Sequence, residues 1–220
     1  MAVTLFDESR DRVEVAPQAV HLPGWLSVAQ QQRLVTSFAE WSVAPVPMRS
    51  PKVRSGYPMS VKTVSLGWHW QPYRYTRVAS DVNGQEVAPF PRWLGDIARA
   101  VVGEAYGADA ATAYRPDAAL INFYDDAAKM GMHQDKDESV NEPVVSLSVG
   151  DSCTFRFGNV DNPNKPYRDV VLASGDAFVF AGPSRLAYHG VTKMLPGTAP
   201  PECGLSRGRI NITMRVTGLS

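Results

Sequence analysis

Cysteine is scarce in this sequence. Cys153 and Cys203 are the only two in 220 residues, too few for a disulfide framework and too far apart for a CxxC metal pair. A reducing, cytoplasmic setting is the expectation, nucleoid-associated if the source is bacterial. No run approaches the roughly 18 apolar residues of a membrane span. The opening stretch MAVTLFDESRDRVEV places Asp7, Glu8 and Asp11 where a secretory signal needs an apolar core. A soluble protein with no membrane partner is therefore expected. Net charge is lacking as well, with 22 basic against 22 acidic residues, which argues against gripping nucleic acid by bulk electrostatics. Internal repeats and low-complexity tracts are absent. What is present is 44% hydrophobic, enough at this length for one compact domain with its own core. With no interface signature in view, a monomer is the default.

One absence is local. From Trp41 to Ser80 there is neither Asp nor Glu, while the stretch carries Arg49, Lys52, Arg54, Lys62, Arg74 and Arg77, interleaved with Tyr57, Trp68, Trp70, Tyr73 and Tyr75. Cationic side chains neutralise phosphates and aromatic faces stack on unpaired bases, so this composition suits a single-stranded or flipped nucleotide. From composition alone, a solvated loop region whose aromatics are core fits equally.

Two helices are expected. Ser27 can cap a helix to Glu40 in which Leu34, Val35 and Phe38 fall at helical spacing, and a second runs from Pro91 to Tyr106 with Gly107 as its stop. After Pro116 the texture becomes short segments separated by Gly, Pro, Asn and Asp: 119–124, 144–149, 153–157, 169–172, 177–180 and 209–217. This is the pattern of an antiparallel sandwich or small barrel, a mainly β core with N-terminal helices. The Pro-containing stretch 195–205 reads as a loop.

The most informative stretch is Met130-Gly-Met-His-Gln-Asp-Lys-Asp-Glu138. His133 and Asp135 leave an extended backbone on one face and can share a metal ion. A third ligand must come from elsewhere. His21 lies near the N-terminus and His69 in the basic segment; His189, which follows the strand 177–180, is the better candidate. Two His and one carboxylate leave open positions of the kind non-haem Fe(II) oxygenases need for cosubstrate and dioxygen. Taken alone, His-x-Asp is a weak signal.

The last strand strengthens it. Alternation puts Arg209, Asn211, Thr213 and Arg215 on one face and Ile210, Ile212, Met214 and Val216 on the other. The two arginines lie about 20 Å apart along an extended strand, so they serve two ends of one site rather than one small carboxylate. Arginine suits a fixed carboxylate through its planar fork. An edge strand with a solvated polar face would show the same alternation.

Taken together, Leu66-Gly-Trp68, Pro116-Asp-Ala-Ala-Leu-Ile-Asn-Phe-Tyr124, His133-Gln-Asp-Lys-Asp-Glu138, Ser184-Arg-Leu-Ala-Tyr-His-Gly190 and Arg209-Ile-Asn-Ile-Thr-Met-Arg215 resemble the AlkB family of Fe(II)- and 2-oxoglutarate-dependent nucleic-acid dealkylating dioxygenases, particularly its bacterial DNA-repair members. The resemblance runs from about residue 60 to 216. It implies a double-stranded β-helix, or jelly-roll, core with a nucleotide-recognition lid. The segments would be 1–40 as an N-terminal extension and helix, 41–90 as the lid and 91–220 as the dioxygenase core. By the same resemblance His133, Asp135 and His189 bind Fe(II), and Arg209 pairs with the distal carboxylate of 2-oxoglutarate. Arg215, counted with the catalytic group, lies near the chelating carboxylate, and Asn122, Tyr124 and Asn211 support the cosubstrate. Trp68 stacks on the flipped base, Asp137 faces its edge, and Lys136 and Tyr75 complete the substrate contacts.

The reaction so implied is oxidative demethylation of bases such as 1-methyladenine and 3-methylcytosine in single-stranded or flipped DNA, with RNA as a second polymer. It uses O2 and releases succinate, CO2 and formaldehyde. A cationic methylated base would favour the Asp137 carboxylate over its neutral parent. The loop 158–165 has Lys165 as its single base, fewer than close relatives tend to carry. The competing readings are an oxygenase acting on tRNA or protein and a non-catalytic metal-binding jelly roll. The second leaves Arg209 and Arg215 without a task.

Overall fold

The computed structural model describes residues 11–53 and 56–219. Asp7 and Glu8, which argue against a signal, and Arg54 of the basic segment lie outside the described residues. In chain order the elements are β1 (Val13–Ala16), β2 (Ala19–Leu22), α1 (Val28–Trp41), β3 (Lys62–Leu66), β4 (His69–Gln71), β5 (Arg74–Thr76), α2 (Arg92–Tyr106) and α3 (Ala108–Ala113). They continue with β6 (Ala118–Tyr124), β7 (Met130–His133), β8 (Val144–Gly150), β9 (Ser152–Phe157), β10 (Arg168–Leu172), β11 (Ala177–Phe180), β12 (His189–Leu195) and β13 (Arg209–Arg215).

The strands form a seven-stranded sheet of order β1-β2-β11-β8-β13-β6-β3, a four-stranded sheet of order β10-β9-β12-β7, and a separate hairpin, β4-β5. Phenylalanines join the two larger sheets. Phe155 and Phe157 of β9 meet Phe178 and Phe180 of β11 with ring centroids 5.0 to 5.5 Å apart for the pairs 155/178, 157/178 and 157/180. This two-sheet jelly roll is the fold class the resemblance implies, within the antiparallel sandwich or barrel that the strand pattern implies. Segments 1–40, 41–90 and 91–220 all contribute strands to the larger sheet, so it is built as one body.

The helices cover the outer face of that sheet. Ser27 caps α1 through a capping box with Gln30, an arrangement worth about 0.5–2 kcal/mol. Leu34 and Phe38 of α1 and Leu94, Ala98, Val101 and Val102 of α2 share a core with Ile210, Ile212 and Met214. β13 lies between β6 and β8 with all seven residues buried, so its polar face is not the solvated face of an edge strand; it points into the roll. Among the described residues, no helix is long and apolar enough to cross a membrane.

Candidate active site

His133 and His189 are directly paired across β7 and β12, and their rings lie 4.5 Å apart. The close approach depends on Gly190, where a Cβ would meet the Met130 carbonyl oxygen at 2.5 Å. His133 Nε2 stands 3.7 Å from one Asp135 oxygen and His189 Nε2 3.7 Å from the other. These separations fall inside twice a metal-ligand bond of about 2.0–2.2 Å. In each ring Nδ1 lies 2.9 Å from a backbone carbonyl, Gly131 for His133 and Ala187 for His189. A carbonyl only accepts, so Nδ1 carries the proton and Nε2 offers its lone pair toward Asp135.

The local electrostatics favour the same state. Burial, reinforced by the His133 ring, pushes His189 down to about 4, so its imidazole is neutral at ordinary pH. Burial opposes ionisation of Asp135, but the Arg215 guanidinium leads the charges that outweigh it and hold the carboxyl at about 2. An ionised carboxylate beside imidazole nitrogens is the donor set a divalent cation needs. The other two histidines are engaged elsewhere: His21 Nε2 with buried Asp176 at 2.9 Å and His69 Nε2 with Asp81 at 2.6 Å.

A cavity of about 550 Å³ opens over the triad. Asn122, Tyr124, Arg209, Asn211 and Arg215 line it together with His133, Asp135 and His189. Arg209 is 1% exposed and donates from Nη2 to Ser148 Oγ at 2.9 Å, with its guanidinium over the Tyr124 ring. Its Nε and Nη1 are buried without a protein hydrogen-bond partner among the described residues. A buried cation with free N–H groups facing a cavity is what a carboxylate of a small dianion would satisfy. At the other end of β13, Arg215 donates from Nη2 to Asp135 Oδ1 at 2.8 Å and from Nη1 to Glu138 Oε1 at 3.1 Å. Arg185 grips the same Glu138 at 2.9 Å and the Asp135 carbonyl at 2.5 Å. Asn122 accepts from Thr63, and Asn211 donates to Ser146.

Residues 18–215 match the 2OG-Fe(II) oxygenase superfamily. Over 199 residues the chain is 38% identical to an alpha-ketoglutarate-dependent dioxygenase AlkB homolog of Caulobacter vibrioides, covering 88% of this chain and 84% of the relative. The chain belongs to the AlkB family. It is also 31% identical, over 96% of its length and 54% of the relative's, to DNA N(6)-methyladenine demethylase ALKBH1D of Arabidopsis thaliana. The solved structure of OsALKBH1 aligns with a TM-score of 0.84 at 30% identity, covering 93% of this chain and 99% of that chain. The protein is thus an Fe(II)- and 2-oxoglutarate-dependent dioxygenase, and the triad and the buried arginine fit both groups.

Membership in the AlkB family directs attention to the cavity wall, where the structure departs from the sequence reading. Trp68 does not line the cavity. It is buried in the connection after β3, donating from Nε1 to Asp117 at 3.1 Å under the Arg77 guanidinium. The cause is Gly67, at φ 75°, where a Cβ would fall 2.0 Å from the Asp117 carbonyl oxygen. This turn redirects the chain and brings Trp70 to the cavity instead, with its Nε1 donating to Asp137 at 2.9 Å. Tyr75 is also displaced from the expected substrate contact: its hydroxyl donates to Glu138 at 2.6 Å and accepts from Arg215 at 3.0 Å. Burial raises that phenol far above its usual range. Lys136 is exposed at the cavity mouth and Asp137 lies in its wall. Sequence reasoning counts Trp70 among the aromatics of the acid-free segment without a role of its own and assigns nothing to Glu138 or Arg185. The one available signal was the two-residue repeat Trp68, Trp70, which does not specify where the turn falls.

Proposed function

We propose that this dioxygenase demethylates N-alkylated bases, of the 1-methyladenine and 3-methylcytosine type, in single-stranded or flipped DNA. The observation that carries this reading is the Trp70 indole, hydrogen-bonded to Asp137, on the wall of the same cavity whose floor holds the triad and Arg209. An indole face stacks on a base, and a carboxylate accepts from the exocyclic amino group of adenine or cytosine and favours a methylated, cationic ring. Trp70 uses one oxygen of Asp137, leaving the other for the base. Residues 41–90 act as the lid over the core 91–220, with Lys136 holding the strand's phosphate.

In this reading His133, Asp135 and His189 hold Fe(II). Arg209 grips the far carboxylate of 2-oxoglutarate beside Tyr124 and Asn122, while Asn211 fixes the wall between them. Arg215 keeps Asp135 ionised and oriented. Bound there, iron with 2-oxoglutarate and O2 supplies the oxidising power for a methyl C–H bond, with succinate, CO2 and formaldehyde as products. Phe155, Phe157 and Phe180 surround His189 and exclude water from that ligand. The protein works as a cytoplasmic monomer.

The test is release of formaldehyde and succinate from single-stranded oligonucleotides carrying 1-methyladenine or 3-methylcytosine, with Fe(II), 2-oxoglutarate and ascorbate. Formaldehyde in proportion to the lesion is expected. Equal succinate with and without the lesion would refute the substrate assignment while leaving the cosubstrate site intact. The likeness to ALKBH1D over 96% of this chain favours one second reading, N6-methyladenine in DNA. An oligonucleotide with that base belongs in the same assay, beside RNA versions of all three.

A further inference from the structure

Trp70 reaches the cavity from β4, three residues that pair with the three of β5 and with no other strand. A two-stranded hairpin this short is not stable by itself in water. Its turn also holds Tyr73 at φ 76°, a left-handed conformation that a bulky residue keeps only where its surroundings enforce it. The hairpin therefore depends on contacts outside its own ladder. Trp70 N–H donates to Ser65 Oγ at 3.2 Å, but the larger set of contacts converges on Asp81, in the loop after β5.

Asp81 Oδ1 accepts from His69 Nε2 at 2.6 Å and from Gln71 Nε2 at 2.9 Å, the two neighbours of Trp70 in the chain. Its Oδ2 accepts from Arg49 Nε at 3.3 Å and Nη2 at 3.2 Å. That same Nη2 donates to the Trp70 carbonyl at 2.7 Å. One carboxylate thus ties three consecutive residues of β4, the outer two directly and the middle one through Arg49. Asp81, Arg49, His69 and Gln71 are all absent from the cavity lining, so they act on the cavity wall through Trp70. Charge-assisted hydrogen bonds to a partly buried carboxylate are among the stronger ones a side chain makes, which suits a brace for a single ring.

We propose that Asp81 is a positioning residue for base recognition: by bracing His69, Trp70 and Gln71 it fixes the Trp70 indole on the cavity wall against Asp137. The substrate half of this statement rests on the proposed function, whereas the bracing does not, and the two fail separately.

The test uses Asp81→Asn, which keeps the shape and removes the charge, and Arg49→Gln, which removes the grip on the Trp70 carbonyl and decides the matter if the first variant does not fold. Two quantities are read. One is the indole N–H resonance of Trp70 in nitrogen-15-labelled protein loaded with Zn(II) and 2-oxoglutarate, assigned through Trp70→Phe. It should shift or broaden in both variants while those of Trp25, Trp41 and Trp93 stay in place. The other is the steady-state split: KM for the methylated oligonucleotide should rise about tenfold, within the range of one lost base stack. Meanwhile kcat and lesion-independent 2-oxoglutarate turnover should stay within about twofold of the parent protein, since truncating a positioning contact removes binding and not chemistry. An unmoved Trp70 resonance overturns the proposal. So does a parallel fall in KM-dependent and lesion-independent turnover, which would mark general damage. If the parent protein demethylates none of the oligonucleotides, a moved resonance retains the brace and removes the substrate reading alone.

Discussion

Arg209 and His189, on the floor of the cavity, hang from strands paired on both sides, with His133 on the edge strand β7 and Asp135 just beyond its end, whereas Trp70 and Asp137, on its wall, hang from a hairpin of two three-residue strands and from a loop. On the floor, Arg209 has β6 and β8 as neighbours of its strand, and His189 has β7 and β9. A one-residue slip there would turn every side chain to the opposite face and bury Ile210 and Ile212 in a polar cavity, so the register has a single solution. On the wall, Trp70 is placed by the Gly67 turn, by its own backbone hydrogen bonds with Arg49 and Ser65, and by those of its neighbours His69 and Gln71 to Asp81. Most of the floor is set by sheet pairing and the wall by a few side chains. On the proposed function, the oxidative chemistry belongs to the first and base recognition to the second.

The comparison is broken most severely at the triad. His133→Ala should abolish turnover, by more than the roughly 10–100-fold that loss of a partner behind a ligand costs, with unfolding temperature close to the parent's because His133 is part-exposed at a strand end. Residual activity above that level would remove His133 from the ligand set. Next comes Arg209→Met. Truncating one partner of a buried charged contact costs about 2–5 kcal/mol, so the 2-oxoglutarate KM should rise by at least about 30-fold. An unchanged KM would mean that the orphaned N–H groups of Arg209 serve something other than the cosubstrate.

The wall responds differently at its two tryptophans, and this pair sharpens the comparison. Trp70→Ala should raise the oligonucleotide KM by about 5- to 150-fold, corresponding to about 1–3 kcal/mol of base stacking, and leave lesion-independent 2-oxoglutarate turnover intact. Trp68→Ala removes a buried side chain and its bond to Asp117, which should appear as lost stability of about 3–5 kcal/mol. The reverse pattern, with Trp68 controlling KM and Trp70 controlling stability, would reinstate the stacking role first assigned to Trp68.

How far the sequence is legible follows the same division. Ser27 with Gln30 three residues on marks the start of α1, Gly107 marks the end of α2, and the alternation from Arg209 separates a polar face from an apolar one. These signals are local or periodic, and the alternation from Arg209 tells two faces apart without telling a cavity face from a solvated one. β1 and β2 are four residues each and become strands because β2 pairs with β11, more than 150 residues later by number, which no local pattern encodes. β7 and β12, absent from the expected segments, contain Gly131 and Gly190, and close approach of the two strands requires the absence of a Cβ at Gly190. Trp68 and Trp70 share parity, so period two would put them on one face. Trp68 falls outside that rule because, with Gly67, it makes the bend between β3 and β4, and Trp70 alone of the two lies in a strand.

The smallest expected effect is at Lys136, which stands exposed at the cavity mouth beside the ligand Asp135. If it holds a phosphate, Lys136→Ala should weaken oligonucleotide binding in proportion for every sequence and lesion, and lower the slope of log affinity against log salt by roughly 0.7 for a single strand. Neither kcat nor the 2-oxoglutarate KM should change, since an exposed ammonium in high dielectric contributes little to a buried site. A loss that depended on the identity of the base would place Lys136 with Trp70 and Asp137 in recognition. An unchanged salt slope would instead return the phosphate contact to Lys52, Lys62 or Lys129. Either result refines the boundary between wall and floor, because Lys136 lies one residue from each: Asp135 on the floor and Asp137 on the wall.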